Sequence, residues 1–226
     1  MMNSSAVINL EPARRLVDRH LAHEAPFEVA IDSLNLTIFP GVFCPAYTET
    51  SAFLAKHVQV APGETVLDVF SGSGYQGLLT AQTAAKVVCV DSSPEAVRCA
   101  TANAESQQVS DRVTALVGDL FDPVTERYDV VIANPPLLPG IPANAIEAAI
   151  FDPELIHSKR FLEQVGDYLT DRGRAYLIAT DAHQDMGILD VIAYSEECGL
   201  NASAIARLPL PYETYTVYRI SSPRSH

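Results

Sequence analysis

The chain has 226 residues and a formal net charge of −13 at pH 7. That length is enough for one full hydrophobic core, so we predict one main domain, residues 46–226, with an N-terminal extension, residues 1–45, packed on it. The negative charge disfavours partners that present phosphate groups, namely nucleic acids and anionic membranes.

The cysteines and the first segment bear on the cellular compartment. The four cysteines are scattered without the C-x-x-C spacing of a zinc site: Cys44, Cys89, Cys99 and Cys198. The first helical segment carries Arg14 and Arg15 and lacks the long apolar run of a signal peptide or a membrane span. We therefore predict a cytoplasmic protein with no bound metal and no membrane association.

The N-terminal extension is predicted to contain a helix and a hairpin. Residues 10–24 place apolar side chains at helical spacing, and Pro12 is tolerated in a first turn, which indicates an amphipathic helix. Residues 27–39 alternate around Asp32 and Ser33, which indicates a β-hairpin. A short helix over residues 51–57 begins the main domain.

Strand and helix patterns alternate from Glu64 onward. We predict strands over residues 65–70, 86–90, 112–117, 128–133, 174–179, 202–208 and 214–220. Helices are predicted over residues 76–84, 94–107, 153–168 and 183–198. The first five strands are short and mostly apolar, as is typical of parallel strands covered on both faces.

The connection between the last two strands is too short for a crossover helix. These strands therefore predict an antiparallel hairpin through residues 209–213. The resulting fold class is α/β, with a Rossmann-like, doubly wound sheet of seven strands that is mostly parallel and ends in a C-terminal antiparallel hairpin.

A glycine-rich turn follows the first of these strands. The sequence VLDVFSGSGYQG places Gly72, Gly74 and Gly77 in a G-x-G-x-x-G pattern after an apolar strand that contains Asp68. Glycines adopt positive φ and let a ligand approach without a Cβ in the way, and the following helix start offers unpaired N–H groups. The segment predicts a nucleotide-cofactor turn, with a turn that binds no ligand as the alternative.

Charge distinguishes two candidate cofactors. A nicotinamide dinucleotide needs one acid at the end of the second strand, and Asp91 supplies it, so the glycine motif alone is ambiguous. A second acid, Asp68, lies four residues before Gly72, where it would repel a pyrophosphate but not a cationic sulfonium. The pair of acids favours S-adenosylmethionine.

Residues at four strand ends suit this cofactor, because open parallel sheets bind ligands beyond the carboxyl ends of their strands. Asp91 can accept both ribose hydroxyls with help from Ser92, and Asp119 can accept from the adenine amino group. Leu120 and Phe121 either wall the adenine or belong to the core. The full set of predicted cofactor-binding residues is Asp68, Gly72, Ser73, Gly74, Asp91, Ser92, Asp119, Leu120 and Asn134.

Asn134, Pro135 and Pro136 form the predicted catalytic segment. A proline shifts its predecessor towards extended geometry and lacks an N–H, so Asn134 and Pro135 should present acceptor oxygens without competing donors. Accepting both hydrogens of an amide or aromatic amine would aim its lone pair at the sulfonium methyl, and positioning in a dry site can replace a strong base. The alternative is a strand simply broken by two prolines.

These motifs resemble class I S-adenosylmethionine-dependent methyltransferases of the small-methyltransferase group, which includes release-factor glutamine methyltransferases and several nucleobase amine methyltransferases. The resemblance covers about residues 41–179, through GVFCPAYTET, VLDVFSGSGYQG, VVCVDSS, GDLFDP and YDVVIANPP. It implies that the loop over residues 45–50 approaches cofactor and acceptor, which makes Thr48 and Glu49 candidate substrate-binding residues. Leu137, a third candidate, stands where the group usually has Tyr or Phe.

The predicted function is S-adenosylmethionine-dependent N-methylation of a protein glutamine amide or of a small planar amide or amine. Methylation of a nucleobase exocyclic amine is the alternative, although Leu137 lacks a stacking ring and no Lys or Arg between Arg127 and Lys159 can meet phosphates. A cofactor-binding partner subunit without catalysis is the non-enzyme alternative, and the intact Asn134-Pro135-Pro136 argues against it.

Three further side chains and one segment lie near predicted site loops. Tyr47, His157 and His183 have no spacing that demands a role, so we predict surface or packing positions for them. Residues 139–150 are small and apolar, and they either cover the acceptor as a lid or start the next helix.

Overall fold

The computed structural model describes residues 10–211 and 213–223, so residues 1–9 of the predicted extension lie outside the described part. The strands are β1 (Phe27–Ile31), β2 (Leu34–Ile38), β3 (Thr65–Val69), β4 (Lys86–Asp91), β5 (Val113–Val117), β6 (Tyr128–Ala133), β7 (Leu169–Thr180), β8 (Asn201–Pro209) and β9 (Thr214–Ser221). The α-helices are α1 (Glu11–Leu21), α2 (Glu49–His57), α3 (Tyr75–Thr80), α4 (Pro94–Ser106), α5 (Ala145–Ala148), α6 (Ile156–Gln164), α7 (Asp181–Asp185) and α8 (Val191–Glu197). None of the helices in these described ranges is long and apolar enough to cross a membrane.

A seven-stranded sheet in the order β5-β4-β3-β6-β7-β9-β8 forms the centre of the structure. The pairings from β5 through to β7 are all parallel, and β9 pairs antiparallel with both β7 and β8. This confirms the predicted doubly wound sheet with its C-terminal hairpin. The strand order reverses between β3 and β6, and such a switch point leaves a crevice at the carboxyl ends of the strands.

Burial on both faces of the sheet explains the apolar strand sequences. Val66 and Val130 pack into one hydrophobic cluster, while Leu67, Val69 and Val131 pack into a second cluster on the opposite face. Full burial of one such side chain contributes about 1.5 to 3 kcal/mol. Adjacent strands therefore hold their ends in a fixed relation, and the residues at those ends share one edge of the sheet.

Two helices predicted as continuous are interrupted. The helix predicted over residues 153–168 starts as an α-helix only at Ile156, because Glu154 and Leu155 have left-handed φ values of 54° and 55°. The helix predicted over residues 183–198 is divided into α7 and α8 by Gly187, whose φ is 68°. Asp190 then caps α8, because its side chain accepts hydrogen bonds from the first backbone N–H groups of that helix.

The N-terminal helix packs against the segment that follows β6. Ala13 and Val17 of α1 form a small hydrophobic cluster with Ile146 of α5 and Ile150. Strands β1 and β2 pair antiparallel around a tight turn at Asp32, whose φ is 49°. The predicted N-terminal helix and hairpin are confirmed, whereas the division of the chain at residue 45 stays a prediction.

His20 anchors α1 to the loop that precedes α2. Its side chain is buried, its Nδ1 lies 2.7 Å from the carbonyl oxygen of Leu16, and its Nε2 lies 2.8 Å from the backbone nitrogen of Cys44. Because a carbonyl accepts and a backbone N–H donates, Nδ1 carries the proton and Nε2 accepts, so His20 is neutral. Burial lowers the pKa of His20, and the neighbouring Arg19 and His23 act in the same direction.

Acid is expected to weaken the docking of α1. Since the folded-state pKa of His20 lies below its usual value of 6.5, the stabilisation is complete above pH 6.5 and is lost as the pH falls below that value. Urea denaturation between about pH 5 and 8 should show a steeper acid loss in the free energy of unfolding for the wild type than for His20→Gln. Parallel pH curves for the two proteins would contradict this role of His20.

Candidate active site

A cavity of about 560 Å³ opens at the carboxyl ends of β3, β4, β5 and β6. The glycine turn and the strand ends form its floor, and α1, the loop before α2 and the segment around α5 form its outer wall. Among the described residues that line the cavity, none is Lys or Arg. The cavity therefore combines carboxylate and apolar surface.

Most of the predicted site residues meet in this cavity. Those on its lining are Thr48, Glu49, Gly72, Ser73, Asp91, Ser92, Asp119, Leu120, Asn134, Pro135, Pro136 and Leu137. Asp68 and Gly74 are not on the lining. The sheet thus places side chains from four strand ends around one volume, and the roles of these residues stay predictions.

Asp68, predicted to bind the cofactor, lies beneath the cavity lining and not on it. Its side chain is fully buried, and its Oδ2 accepts a hydrogen bond at 2.9 Å from the backbone N–H of Gly77, in the first turn of α3. Such N–H groups have no partner within the helix, so a carboxylate there is favourable. Burial raises the pKa of Asp68 to about 7, and the bond from Gly77 opposes this. Asp68 therefore holds the last glycine of the turn, at the start of α3, from the buried side.

Gly72 and Gly74 both have left-handed backbone, but the space around their Cα atoms differs. Gly72 and Gly74 have φ values of 54° and 84°. A Cβ on Gly72 would meet no atom within 4 Å, whereas a Cβ on Gly74 would approach the Cβ of Ala100 to 3.0 Å. Gly72 therefore keeps the cavity floor open to a ligand. Gly74, which is predicted to contact the cofactor, allows α3 to start close against α4.

Asp91 holds the glycine turn while it faces the cavity. Its Oδ2 accepts from the backbone N–H of Gly72 at 2.8 Å, and its Oδ1 accepts from the N–H of Ser93 at 2.9 Å. Each carboxylate oxygen keeps a further lone pair, so two ribose hydroxyls can still donate to it. Burial raises the pKa of Asp91, and the two backbone hydrogen bonds oppose that shift.

Asp119 and Leu120 line the end of the cavity beyond β5. Oδ2 of Asp119 accepts from Nη1 of Arg160 at 2.8 Å, which leaves its other oxygen for a donor such as an amino group. Leu120 reaches the cavity, whereas Phe121 is buried and stacks on Tyr168 with ring centroids 4.4 Å apart. Of the two predicted adenine walls, Phe121 belongs to the core.

Asn134 is oriented by Ser51, a residue that the sequence analysis did not identify. Nδ2 of Asn134 donates to Oγ of Ser51 at 3.2 Å, and the carbonyl of Ser51 accepts from Nε2 of Gln76 at 2.8 Å. This leaves Oδ1 of Asn134 available to accept from a ligand. Ser51 lies 83 residues before Asn134, and no local pattern relates the two positions.

The segment after Pro136 forms part of the cavity wall. The backbone N–H groups of Leu137 and Leu138 both donate to the carbonyl of Ile150, at 3.1 and 3.0 Å, which closes residues 139–150 into a compact loop that contains α5. The carbonyl of Leu137 also accepts from Nε2 of His183, which is buried, so of its two predicted positions, surface or packing, His183 takes the packing one. The segment is therefore a wall against α1 and not the start of α6.

Tyr47 and His157, for which surface or packing positions are predicted, both line the cavity, and Tyr47 also packs against the main hydrophobic cluster. The guanidinium carbon of Arg19 lies 3.5 Å from the centroid of the Tyr47 ring, and the Tyr47 hydroxyl lies 2.7 Å from Nε2 of His23. Phe70, also on the lining, follows β3 with a left-handed φ of 59°. Nothing in the local sequence marks these residues, because their positions depend on contacts between distant segments.

The sequence of this chain matches a known protein family, which indicates the activity of the cavity. The model of the methyltransferase small domain matches residues 33–192 of this chain. The chain belongs to the methyltransferase small domain family. It is an S-adenosylmethionine-dependent methyltransferase, as the glycine turn and the strand-end acids predict.

Relatives of this methyltransferase include proteins of several lengths. It is 29% identical over 198 residues to a candidate protein N5-glutamine methyltransferase of Methanocaldococcus jannaschii, across 84% of this chain and 96% of that protein. It is 32% identical over 121 residues to the release factor glutamine methyltransferase of Geobacter sulfurreducens, across 52% of this chain and 42% of that enzyme. The matched region thus spans less than half of the Geobacter enzyme.

A solved structure shares the fold of this methyltransferase. The 16S rRNA N2 G1207 methyltransferase of T. thermophilus, in complex with AdoMet and guanosine, superposes with a TM-score of 0.66 at 22% identity, over 88% of this chain and 50% of that one. At this identity the likeness concerns the fold alone. It agrees with the parallel sheet and the switch-point crevice described above.

The cavity of the methyltransferase fits S-adenosylmethionine. Oγ of Ser71 is buried on the lining and has no hydrogen-bond partner within the described residues, so a polar ligand group can satisfy it. The carboxylates of Asp91 and Asp119 can accept from a nucleoside, and their charge attracts a sulfonium cation. Gly72 leaves its part of the floor free of a side chain.

Alanine substitutions at Gly72 and Gly74 should affect cofactor affinity and the free energy of unfolding to different degrees. Each alanine costs about 1 to 2 kcal/mol for its left-handed backbone, and Gly74→Ala adds the close contact with Ala100. We expect Gly72→Ala to weaken binding of S-adenosylhomocysteine, measured by calorimetry, about tenfold more than Gly74→Ala does. Gly74→Ala should show the larger drop in urea stability. Full cofactor affinity in Gly72→Ala would contradict a ligand-facing role for this position.

Proposed function

We propose that this methyltransferase methylates the side-chain amide nitrogen of a glutamine in a protein. The observation that carries the proposal is the orientation of Asn134, whose Nδ2 is engaged by Ser51 while its Oδ1 remains available on the cavity lining. The names of the relatives from M. jannaschii and G. sulfurreducens, both glutamine methyltransferases, support the same acceptor. The M. jannaschii protein matters most, because the match covers 96% of its length.

The proposed catalytic residues are Asn134, Pro135 and Pro136. An amide nitrogen carries two hydrogens and a delocalised, weakly nucleophilic lone pair. Oδ1 of Asn134 and the carbonyl of Pro135 each accept one hydrogen, and the missing N–H groups of Pro135 and Pro136 remove competing donors. Holding both hydrogens orients the lone pair, so positioning replaces a strong base. Thr48, Glu49 and Leu137 border the acceptor.

The cofactor half of the cavity has its own proposed contacts. When bound, S-adenosylmethionine supplies an electrophilic methyl group. Asp91 and Ser92 accept from the ribose hydroxyls, and Asp119 accepts from the adenine amino group beside the apolar wall of Leu120. The backbone at Gly72 and Ser73 borders the methionine portion.

The charge of the cavity favours a protein amide over a base within a nucleic acid. Phosphate contacts require Lys or Arg, and neither lines the cavity in the described part of the chain. Leu137 also lacks a ring on which a base can stack. We expect weak binding to RNA, and a steep salt dependence with sub-micromolar affinity at physiological salt would favour the nucleobase alternative instead.

A cytoplasmic site of action fits this proposal. The cysteines of the described residues are all unpaired, and three of them, Cys44, Cys89 and Cys99, are buried. Burial raises the pKa of each of these three thiols. Unpaired cysteines are usual in a reducing compartment, where translation factors are available as acceptors.

Replacing Asn134 by alanine should affect turnover and spare cofactor binding. Removing one positioning hydrogen bond from a preorganised site costs about 2.7 to 4 kcal/mol, so single-turnover methyl transfer should fall by roughly a hundredfold to a thousandfold. Calorimetry on the same sample should give nearly wild-type affinity for S-adenosylmethionine, because Asp91 and the glycine turn are intact. Undiminished transfer would mean that Asn134-Pro135-Pro136 only terminates β6.

The acceptor can be identified by following the methyl group. Incubating the enzyme with methyl-labelled S-adenosylmethionine and a lysate should place label in protein, and complete digestion should release it as N5-methylglutamine, detected by mass spectrometry. The Asn134→Ala enzyme serves as the background control. Label that is removed by nuclease and resists protease would overturn the proposed acceptor while leaving the cofactor assignment intact.

A further inference from the structure

His157 and Asp152 form a pair at the start of α6 that none of the roles above uses. Nδ1 of His157 lies 2.9 Å from Oδ1 of Asp152, and the backbone N–H of His157 donates to Oδ2 of Asp152 at 2.8 Å. Asp152 is 0% exposed, whereas the His157 side chain is 39% exposed and lines the cavity. Nδ1 of His157 is buried against the Asp152 carboxylate at ion-pair distance, although the two atoms do not meet in hydrogen-bond geometry. Because Nδ1 is buried in this way, Nε2 is the ring nitrogen available to a ligand.

The backbone between these two residues adopts an unfavourable conformation. Glu154 and Leu155 are consecutive non-glycine residues with φ values of 54° and 55°. Left-handed backbone is unfavourable for any residue other than glycine, and strain of this kind concentrates at functional sites. The two residues reverse the chain so that one buried carboxylate meets both the backbone and the ring of His157. The fold thereby fixes one imidazole beside the cavity at an energetic cost.

The first turn of α6 borders the end of the cavity beyond β5, where the nucleoside of the cofactor is proposed to bind. The His157 ring lies edge-on to the ring of Phe70, with centroids 6.2 Å apart and an interplanar angle of 85°. One turn further along α6, Arg160 binds Asp119 at 2.8 Å. Asp119 follows β5, at the far side of the switch point from Asn134, so His157 is associated with the nucleoside contacts and not with the acceptor contacts.

We propose that His157, oriented by Asp152, is a cofactor-binding residue that contacts the purine end of S-adenosylmethionine. Adenine presents ring-nitrogen acceptors to a donor such as Nε2–H, and the ring of Phe70 offers an apolar surface beside it. His157 is also the one cavity-lining side chain among the described residues that can carry a positive charge. The inference concerns the cofactor and does not depend on which acceptor is methylated.

The charged side chains around His157 shift its pKa, so its protonation depends on Asp152 in particular. Asp152 raises the pKa of His157, and Asp119 acts in the same direction, while burial and Arg160 oppose the shift. Removing the carboxylate of Asp152 therefore lowers the protonated fraction near neutral pH and frees the ring to rotate. Asp152→Asn is accordingly expected to change the pH dependence of cofactor affinity, whereas a purely structural role would leave that dependence intact.

Calorimetry with two ligands tests the proposal. S-adenosylhomocysteine contains both ends of the cofactor, and adenosine contains only the nucleoside end. We expect His157→Ala to weaken both ligands by a similar factor of about tenfold, and His157→Gln, which keeps a side-chain donor, to weaken them less. Asp152→Asn should weaken both ligands and flatten the pH profile of binding. Circular dichroism and thermal unfolding verify that each variant is folded.

His57 provides a matched control. It is also a half-buried histidine with an edge-on phenylalanine, since its ring centroid lies 4.7 Å from that of Phe53, but it does not line the cavity. His57→Ala should bind both ligands like the wild type. Unchanged adenosine affinity in folded His157→Ala, or a loss confined to methyl transfer, would overturn the proposal. Failure of the wild type to bind S-adenosylhomocysteine would overturn the cofactor site itself and this inference with it.

Discussion

The hydrogen bond from the Gly72 N–H to the Asp91 carboxylate, 2.8 Å long, is the contact on which the active site depends. It joins the turn after β3 to the end of β4, and the same carboxylate engages Ser93 at the start of α4. A glycine-rich turn loses much conformational entropy on folding, so it needs fixed partners. Asp91 accepts from the N–H of Gly72, and Asp68 accepts from the N–H of Gly77. These fixed partners hold the turn in place, so the cavity floor is preformed.

Much of the fold was predictable because its signals are local. Apolar runs bounded by turn residues located the strands, and Ser93 with Pro94 marked the start of α4. The rule that parallel strands present their carboxyl ends at one edge then brought Asp91, Asp119 and Asn134 together. These three residues line one cavity although each was identified from its own short segment.

The features that the sequence did not predict depend on contacts between distant residues or on which face of a strand a side chain occupies. Asp68 lies within β3, paired in register with Cys89 and Ile132, which are themselves buried, so its side chain points into the protein. Left-handed φ at Leu155 and at other non-glycine positions has no signature in the sequence and interrupts a helix that periodicity alone would continue. Ser51 joins the site only through tertiary contacts, which no local pattern encodes.

The two halves of the cavity rest on separate hydrophobic support. The nucleotide floor stands on the main sheet, whereas α1 and α5 pack through a small cluster of their own, which includes Val17 and Ile146. Changes in well-separated clusters add independently, so one half can alter without disturbing the other. One helix and one loop of the cavity wall can therefore be exchanged while the floor keeps its own packing, and chimeras that graft α1 and α5 between relatives would alter the wall alone.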